Sequence, residues 1–335
     1  MFVNLWVTTI CNFSCKYCYE GENKKSLILD ELTVDNLINH IKKELEDSNE
    51  EIIIEFHGGE PLLNFKLIKY TIKRINDTFP LNIKRFGITT NAYFLDEEKS
   101  AFLSKWMNFN LSISIDGGQK TNDMYRITKE GKGTFDIVKE NAAFLLDKRK
   151  DVMARMTLTP ETVKDLYNNC MELVDIGFNI VGSSLDYYNA YWNEEHLEIL
   201  YEELVKLILF QEKNENIRFP MTNFYCKKMG VCGFGKRYFN LYPNGDIYPC
   251  IYCTGDPCFK IGNINLTGFD LDKIHHFNEI NKMVNSECVG CNHIENCVSC
   301  RCKFMNISLT GDFLTPSPVV CAMENIKQRL SCLNN

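Results

Sequence analysis

The first two-thirds of this chain alternates regularly between strand-like and helix-like segments, and this alternation limits the fold more than any other property. Apolar residues at helical spacing predict helices, as in the stripes that begin at Val34 and at Leu197. Repeated β-α units form a parallel sheet with helices outside it, but six units are too few to close an eight-stranded barrel. We therefore expect an α/β fold with an open, partial barrel. The strands are predicted at Phe2–Thr9, Glu51–Phe56, Ile83–Thr90, Asn110–Asp116, Val152–Thr159 and Asn179–Asp186.

The predicted strands also carry a two-residue pattern. In the fifth strand, apolar residues alternate from Val152 to Leu158, whereas Arg155 and Thr157 lie on the opposite face. The second and fourth strands repeat this pattern, with Glu55, His57, Ser112, Ser114 and Asp116 on their polar faces. A purely structural barrel fills its interior with branched apolar residues. Polar inward faces therefore predict a cavity for a polar ligand, and a twisted sheet with one solvated face is the alternative.

Composition excludes several classes of protein. The 335 residues are 45% apolar and 24% charged, which is ordinary globular composition. The net charge of −7 does not suggest a polyanion-binding surface, so no nucleic-acid partner is expected. The sequence has no apolar run long enough to span a membrane, and its start does not resemble a secretion signal. We expect a cytoplasmic protein.

The cysteine content marks a change along the chain. Twelve of the sixteen cysteines lie between Cys226 and Cys332, in a region where helical periodicity fades and turn residues increase. Disulfides rarely persist in a reducing compartment, so this many thiols indicates metal binding or redox chemistry. We predict two domains, one at residues 1–218 and a metal-stabilised one at residues 219–335.

A cysteine triplet follows the first predicted strand. Cys11, Cys15 and Cys18 have the spacing C-x3-C-x2-C, and a tight loop of this kind suits one side of an iron–sulfur cluster. Three ligands leave one iron of a four-iron cluster open, as catalytic metal sites keep an open position. Zinc is the alternative, but a structural zinc site would need a fourth ligand nearby.

The triplet at the end of a first strand, with Tyr17 before the last cysteine, resembles the radical S-adenosylmethionine (radical SAM) superfamily. The resemblance implies a partial (β/α)6 TIM-like barrel. It also implies that Cys11, Cys15 and Cys18 hold a reducing [4Fe–4S] cluster whose open iron binds the amino and carboxylate groups of S-adenosylmethionine.

Further cofactor-binding residues follow from this resemblance. Gly58, Gly59 and Glu60 come after the second strand and match the family's GGE motif, which binds the methionine amine. Ser114 resembles the polar residue of the fourth strand that contacts the cofactor. Arg126 and Arg155 are candidates for its carboxylate, and an internal ion pair, for example with Asp116, is the alternative for each.

The C-terminal cysteines resemble the SPASM domain, which carries two auxiliary [4Fe–4S] clusters. A predicted hairpin at Pro243–Asp246 leads into Tyr-Pro-Cys250. The resemblance implies three [4Fe–4S] clusters in all. One auxiliary cluster, called the nearer one because it would lie closer to the cluster of Cys11, Cys15 and Cys18, is assigned to Cys226, Cys232, Cys250 and Cys300. The other, called the farther one, is assigned to Cys288, Cys291, Cys297 and Cys321. Here two residues, not the family's usual three, separate Cys297 from the next cysteine, so either Cys300 or Cys302 reaches the nearer cluster, and we favour Cys300.

Besides Cys302, four cysteines remain outside these sets. Cys170 lies on an apolar helical stripe and is expected to be a buried, inert thiol, and Cys332 is taken as incidental. Cys253 and Cys258 are weak catalytic candidates that would give a hydrogen atom or hold a peptide thiol. We favour a bystander role for both on a loop.

The resemblance implies an oxidoreductase that makes a 5′-deoxyadenosyl radical and oxidatively modifies a ribosomally synthesised peptide (RiPP), forming a thioether or carbon–carbon cross-link. An external one-electron donor such as flavodoxin or ferredoxin is expected. Because the chain begins at the first strand, a leader-recognition domain is expected to be either absent or supplied by a separate protein. An anaerobic sulfatase maturase is the first alternative, although Ile251 stands where that family has an aspartate after the cysteine. A small-molecule dehydrogenase and a non-enzymatic electron carrier or zinc protein are the others.

Overall fold

The computed structural model describes residues 1–21, 25–46, 48–222, 230 and 232–331. All six predicted strands of the first two-thirds are present, with bounds within two residues of the prediction. They pair in parallel and in chain order, which confirms the predicted α/β fold with a mostly parallel sheet. The strands are β1 Phe2–Thr8, β2 Ile52–Gly58, β3 Lys84–Thr90, β4 Asn110–Ser114, β5 Met153–Leu158 and β6 Ile180–Leu185.

Helices follow the strands and cover the outer face of the sheet. The apolar stripe predicted from Val34 to Leu45 is buried on the first helix, which Asp30 caps by accepting a hydrogen bond from the Thr33 amide. Asn193 and His196 form a reciprocal capping box at the start of the long helix that follows β6. The helices are α1 Glu31–Leu45, α2 Phe65–Thr78, α3 Glu97–Trp106, α4 Gln119–Tyr125, α5 Phe135–Leu146, α6 Leu166–Ile176 and α7 Glu194–Glu212.

The C-terminal third continues the same sheet. The predicted hairpin is present, and Gly245 in its turn has a φ of +84°, which glycine adopts without strain. The strand before the hairpin pairs in parallel with β1, so the described sheet has the order β10-β9-β8-β7-β1-β2-β3-β4-β5-β6. The remaining elements are β7 Tyr238–Leu241, β8 Asp246–Tyr248, β9 Gly262–Asn263, β10 Gly268–Phe269, α8 Leu271–Lys282, α9 Val298–Arg301, α10 Lys303–Thr310 and α11 Pro318–Ser331.

The two faces of the strands divide as the sequence pattern predicts. On β5, Ala154, Met156 and Leu158 are buried, whereas Arg155 is exposed and lines the cavity on the concave side of the sheet. This polar concave side opens into the cavity described below. In the part of the chain that the structure describes, no helix is both long and apolar enough to cross a membrane.

Candidate active site

A cavity of about 1530 Å³ occupies the concave side of the sheet. All six barrel strands contribute polar side chains to it, which confirms the prediction of polar inward faces. A barrel packed for stability alone would fill this space with apolar side chains. These strand residues include Asn4, Glu55, Thr89, Ser114, Arg155 and Ser183.

The cysteine loop lies at the edge of this cavity. Cys11, Cys15 and Cys18 all line the cavity. Two backbone hydrogen bonds position this loop. The Ser14 amide donates to the Ile127 carbonyl at 2.8 Å, and the Lys16 amide donates to the Tyr125 carbonyl at 3.1 Å. The loop is therefore positioned by the segment after α4, which is distant in sequence.

The three thiols interact electrostatically with one another. Burial raises the pKa of Cys11 to about 11 and that of Cys15 to about 12, so these thiols hold their protons unless a positively charged group binds them. Among the described residues, no three histidine, cysteine or carboxylate side chains are placed to hold a single metal ion. Three soft sulfur donors on one loop beside a polar cavity fit a larger iron–sulfur cluster with one open position.

The glycines after β2 are required by a close backbone contact. Gly58 has a φ of +133°, and a Cβ atom there would lie 2.0 Å from the Thr8 carbonyl oxygen. A Cβ at Gly59 would lie 2.4 Å from the Ile10 carbonyl oxygen. The Gly59 and Glu60 amides donate to these same two carbonyls, at 3.0 and 2.9 Å. The loop after β2 is thereby joined to the backbone that leads into Cys11.

Glu60 is buried and its carboxylate serves the local architecture. It accepts hydrogen bonds from the Thr90 hydroxyl at 2.6 Å, the Asn91 amide at 2.7 Å and the Leu62 amide at 2.9 Å. The Asn91 side chain in turn donates to the side chain of Asn12 at 2.9 Å. Burial raises the pKa of Glu60, and these donors oppose that effect. Glu60 thus ties the ends of β2 and β3 to the cysteine loop.

Asp116, just beyond β4, connects several elements. It accepts hydrogen bonds from the Tyr17 hydroxyl, from Arg126 at 2.9 Å and from the Thr157 amide at 2.8 Å. The ion pair with Arg126 is almost completely buried. This is the internal ion pair that the sequence left as the alternative for Arg126. The Tyr17 ring also lies between Tyr125 and the Arg126 guanidinium, at 5.5 and 5.4 Å.

Arg155 is placed differently from Arg126. Its side chain faces the cavity and forms no ion pair with the residues that the structure describes. Ser114 is its register partner on β4, so the two side chains are neighbours on the cavity floor. His57 stacks on Trp6 at 4.8 Å, and burial together with Arg155 lowers the pKa of His57 to about 4. At neutral pH His57 is uncharged, and Arg155 supplies the positive charge of this region.

The C-terminal thiols divide into two groups. In the first, Cys250 contacts Cys302, and Cys232 lies within electrostatic range of Cys302. Cys226 lies outside the described residues. In the second, Cys300 contacts Cys297 and Cys288. Cys291 and Cys321 join this second group. The preference for Cys300 in the nearer set does not match this placement, because Cys302 contacts Cys250 whereas Cys300 contacts Cys297 and Cys288.

The remaining cysteines lie away from the cavity surface. Cys253 is buried and donates to the Cys250 carbonyl at 3.3 Å, and Cys258 is exposed on its loop. Neither is among the residues that line the cavity. Cys170 is fully buried beside the sulfur of Met156, as expected for an inert core thiol. Cys332 lies outside the described residues.

A row of three tyrosines was not found by sequence reasoning. Tyr19, Tyr188 and Tyr252 line the cavity, with ring centroids 6.3 Å apart for the first pair and 6.5 Å for the second. The row runs from the residue after Cys18 to a residue within electrostatic range of Cys250. Because the three tyrosines come from segments far apart in the chain, no local pattern signals them.

Comparison with known proteins agrees with this geometry. A family model described as the radical SAM superfamily matches residues 7–173. An uncharacterized protein of Methanocaldococcus jannaschii is 34% identical over 272 residues, which are 78% of this chain and 87% of that protein. The radical SAM cyclopropyl synthase TigE of Paramaledivibacter caminithermalis is 23% identical over 326 residues, 89% of this chain and 65% of TigE. A serine-type anaerobic sulfatase-maturating enzyme of Bacteroides thetaiotaomicron is 25% identical over 308 residues, 77% of this chain and 70% of that enzyme.

Solved structures share the fold. Native anSMEcpe with bound AdoMet and Cp18Cys peptide superposes with a TM-score of 0.83 at 19% identity, covering 100% of this chain and 98% of that one. Streptococcus suis SuiB bound to precursor peptide SuiA gives a TM-score of 0.65 at 19% identity, covering 96% of this chain and 75% of that one. The cysteine loop, the glycine-containing loop and the polar cavity thus occur on a shared fold and in a matched family region, and residues 7–173 of the chain belong to the radical SAM superfamily.

Proposed function

We propose that this enzyme oxidatively modifies a ribosomally synthesised peptide, forming a thioether or carbon–carbon cross-link. The observation that carries the proposal is the large polar cavity with three thiols at its edge. Two proteins of the same fold are described with bound peptides, which supports a peptide substrate.

Cys11, Cys15 and Cys18 would hold a [4Fe–4S] cluster. Bound there, the cluster supplies the electron that cleaves S-adenosylmethionine to methionine and the 5′-deoxyadenosyl radical. Gly58 and Gly59 would present backbone groups to the methionine amine. Arg155 is the better placed of the two candidate arginines for the methionine carboxylate, because Asp116 already pairs with Arg126.

The chain would orient the peptide and remove the electron that the reaction releases. Polar strand residues would bind and align the peptide backbone, and the walls of the cavity would limit access of water to the reacting carbon. The two C-terminal groups of thiols would hold auxiliary [4Fe–4S] clusters that accept the electron. An external flavodoxin or ferredoxin would supply the first electron.

Formation of formylglycine on a sulfatase is the second candidate function, because a sulfatase-maturating relative matches most of the chain. The structure lacks a carboxylate at the expected place, since Ile251 lines the cavity there. Asp246 pairs with Lys260 in the hairpin, and Asp256 accepts from the Cys258 amide. Neither aspartate lines the cavity, so neither replaces the missing general base.

Mass spectrometry of candidate peptides tests the choice. The reduced enzyme is incubated with S-adenosylmethionine and each peptide, and 5′-deoxyadenosine is measured in parallel. We expect a loss of two hydrogens from a peptide, and no change with the Cys15→Ala variant. An aldehyde on a sulfatase peptide would instead establish the second candidate. Release of 5′-deoxyadenosine with an alcohol or sugar but with no peptide would refute both.

A further inference from the structure

The short helix α9 separates two cysteines that are close in sequence. Cys300 lies within α9, and Cys302 follows directly as the residue shared by the end of α9 and the start of α10. Cys300 is a helical residue, whereas Cys302 has φ −97° and ψ 78°, outside the helical range. The backbone therefore leaves the helical conformation between the two thiols.

The neighbours of each thiol differ accordingly. The Cys302 side chain contacts that of Cys250, and the Met305 amide also donates toward it. Cys232 lies within electrostatic range of Cys302. The Cys300 side chain instead contacts Cys297 and Cys288.

We propose that Cys302, and not Cys300, is the ligand that this chain contributes from its last cysteine run to the nearer auxiliary cluster. The proposal rests on the proposed function, in which auxiliary clusters are present. Among the described residues, the nearer set then contains Cys232, Cys250 and Cys302. The farther set keeps its four predicted ligands and has Cys300 as a fifth thiol.

The surrounding packing holds this arrangement in place. The Cys302 amide donates to the Val298 carbonyl at 2.7 Å, and the Asn306 side chain donates to the Ser299 carbonyl at 3.0 Å. Phe304 is buried among the rings of Phe234 and three other phenylalanines. Turning Cys300 toward Cys250 would disturb these hydrogen bonds and this packing.

Iron analysis in a background without the first cluster tests the assignment. In a variant with Cys11, Cys15 and Cys18 all changed to alanine, anaerobic reconstitution should give about eight irons per chain, four for each auxiliary cluster. Adding Cys302→Ala should reduce this to about four, whereas adding Cys300→Ala or the exposed-thiol control Cys258→Ala should leave about eight. Retention of about eight irons with Cys302→Ala would overturn the assignment.

Double variants determine which cluster each thiol serves. Combining Cys302→Ala with Cys232→Ala should still leave about four irons, because both changes remove the same cluster. Combining Cys302→Ala with Cys321→Ala should leave almost none. If Cys302→Ala with Cys232→Ala left almost no iron, and Cys302→Ala with Cys321→Ala left about four irons, Cys302 would belong to the farther set and the proposal would be overturned.

Two further measurements distinguish loss of a ligand from misfolding, and failure of this assignment from failure of the proposed function. Cys302→Ser provides an oxygen ligand, so it should retain iron with an altered electron paramagnetic resonance spectrum of the reduced cluster. An unchanged spectrum would contradict ligation by residue 302. If the triple-alanine background binds no iron and circular dichroism shows a folded chain, the auxiliary clusters of the proposed function are refuted, and this assignment with them.

Discussion

Gly58 shows how one backbone contact selects a residue type. Its φ is positive, and a Cβ atom at this position would lie 2.0 Å from the Thr8 carbonyl oxygen, so two separate reasons exclude a side chain. The clash is with backbone, so no rotation of a side chain relieves it. The glycine keeps the loop after β2 against the start of the cysteine loop.

Gly58→Ala should therefore lower the free energy of unfolding by about 3 to 5 kcal/mol and reduce iron bound at the first cluster. Gly131→Ala is the matched control, because Gly131 also has a positive φ, of +78°, but has open space around it. The control should lose only about 1 to 2 kcal/mol. Denaturant titration measures both, and equal losses would show that the contact with Thr8 is unimportant.

His57 provides a pH-dependent test of the cavity floor. Burial and Arg155 lower the pKa of His57 to about 4, so the folded chain leaves it neutral where the unfolded chain, with a pKa near 6.5, takes up a proton. Between about pH 6.5 and 4 the unfolded state binds more protons, and stability falls as the pH decreases.

We expect His57 to account for about 1 to 3 kcal/mol of the stability lost between pH 7 and pH 4.5. The free energy of unfolding of the wild type should therefore fall more over this range than that of His57→Gln. His275→Gln, at an exposed histidine, is the surface control. Identical pH profiles for the wild type and His57→Gln would contradict a neutral, buried His57.

At the level of elements, the strand ends and the loops after them build the site. The cysteine loop follows β1, the glycine-containing loop follows β2, and Asp116 and Arg155 come from β4 and β5. Parallel strands place their carboxyl ends at one edge, so residues far apart in sequence meet there. The tyrosine row adds segments after β6 and β8 to this edge.

Tyr188 is the central member of the tyrosine row, and its hydroxyl accepts a hydrogen bond from Ser308 at 3.1 Å. If the row forms a wall for the peptide, Tyr188→Leu should reduce peptide modification by about tenfold, the upper range for an aromatic contact. Release of 5′-deoxyadenosine without peptide should change little. Tyr191→Leu, at a side chain that is 84% exposed, is the control. Equal loss of both activities would place Tyr188 in cofactor binding instead.

At the level of the whole molecule, the cysteine-rich third is joined to the barrel through the sheet. β7 pairs with β1 over four residues, the Asn4 and Asn240 side chains share a buried hydrogen bond of 2.9 Å, and the Phe2 and Tyr238 rings stack at 5.2 Å. The predicted boundary at residue 218 therefore precedes a strand that completes the edge of β1.

A chain ending at residue 218 should not form a stable monomer. It would leave β1 as an unpaired edge strand, and its hydrogen-bonding groups and buried Asn4 would lose their partners. Expression of residues 1–218 should give aggregated protein by size-exclusion chromatography under conditions where the full chain elutes as a folded species. A soluble, cooperatively unfolding fragment would show that the barrel is independent of the C-terminal third.

Most of the fold was accessible from sequence because its signals are local. Strand bounds followed from short apolar runs, and the stripe from Val34 to Leu45 marked α1 correctly. The cysteine triplet and the glycine pair were also legible, because each is a contiguous motif whose spacing limits its geometry. The pairing of β7 with β1 could not be predicted from the sequence, because nothing within Tyr238–Leu241 specifies a partner more than two hundred residues away.

The sequence by itself determined the order of strands and helices, the polar face of each strand, and the loop that carries Cys11, Cys15 and Cys18. These depend on spacing along the chain, which periodicity and turn geometry translate directly into local structure. Only the tertiary structure decided that Arg126 is paired with Asp116, that three distant tyrosines form a row, and that Cys302 rather than Cys300 lies beside Cys250. Such contacts depend on how separate elements pack, which spacing along the chain does not specify.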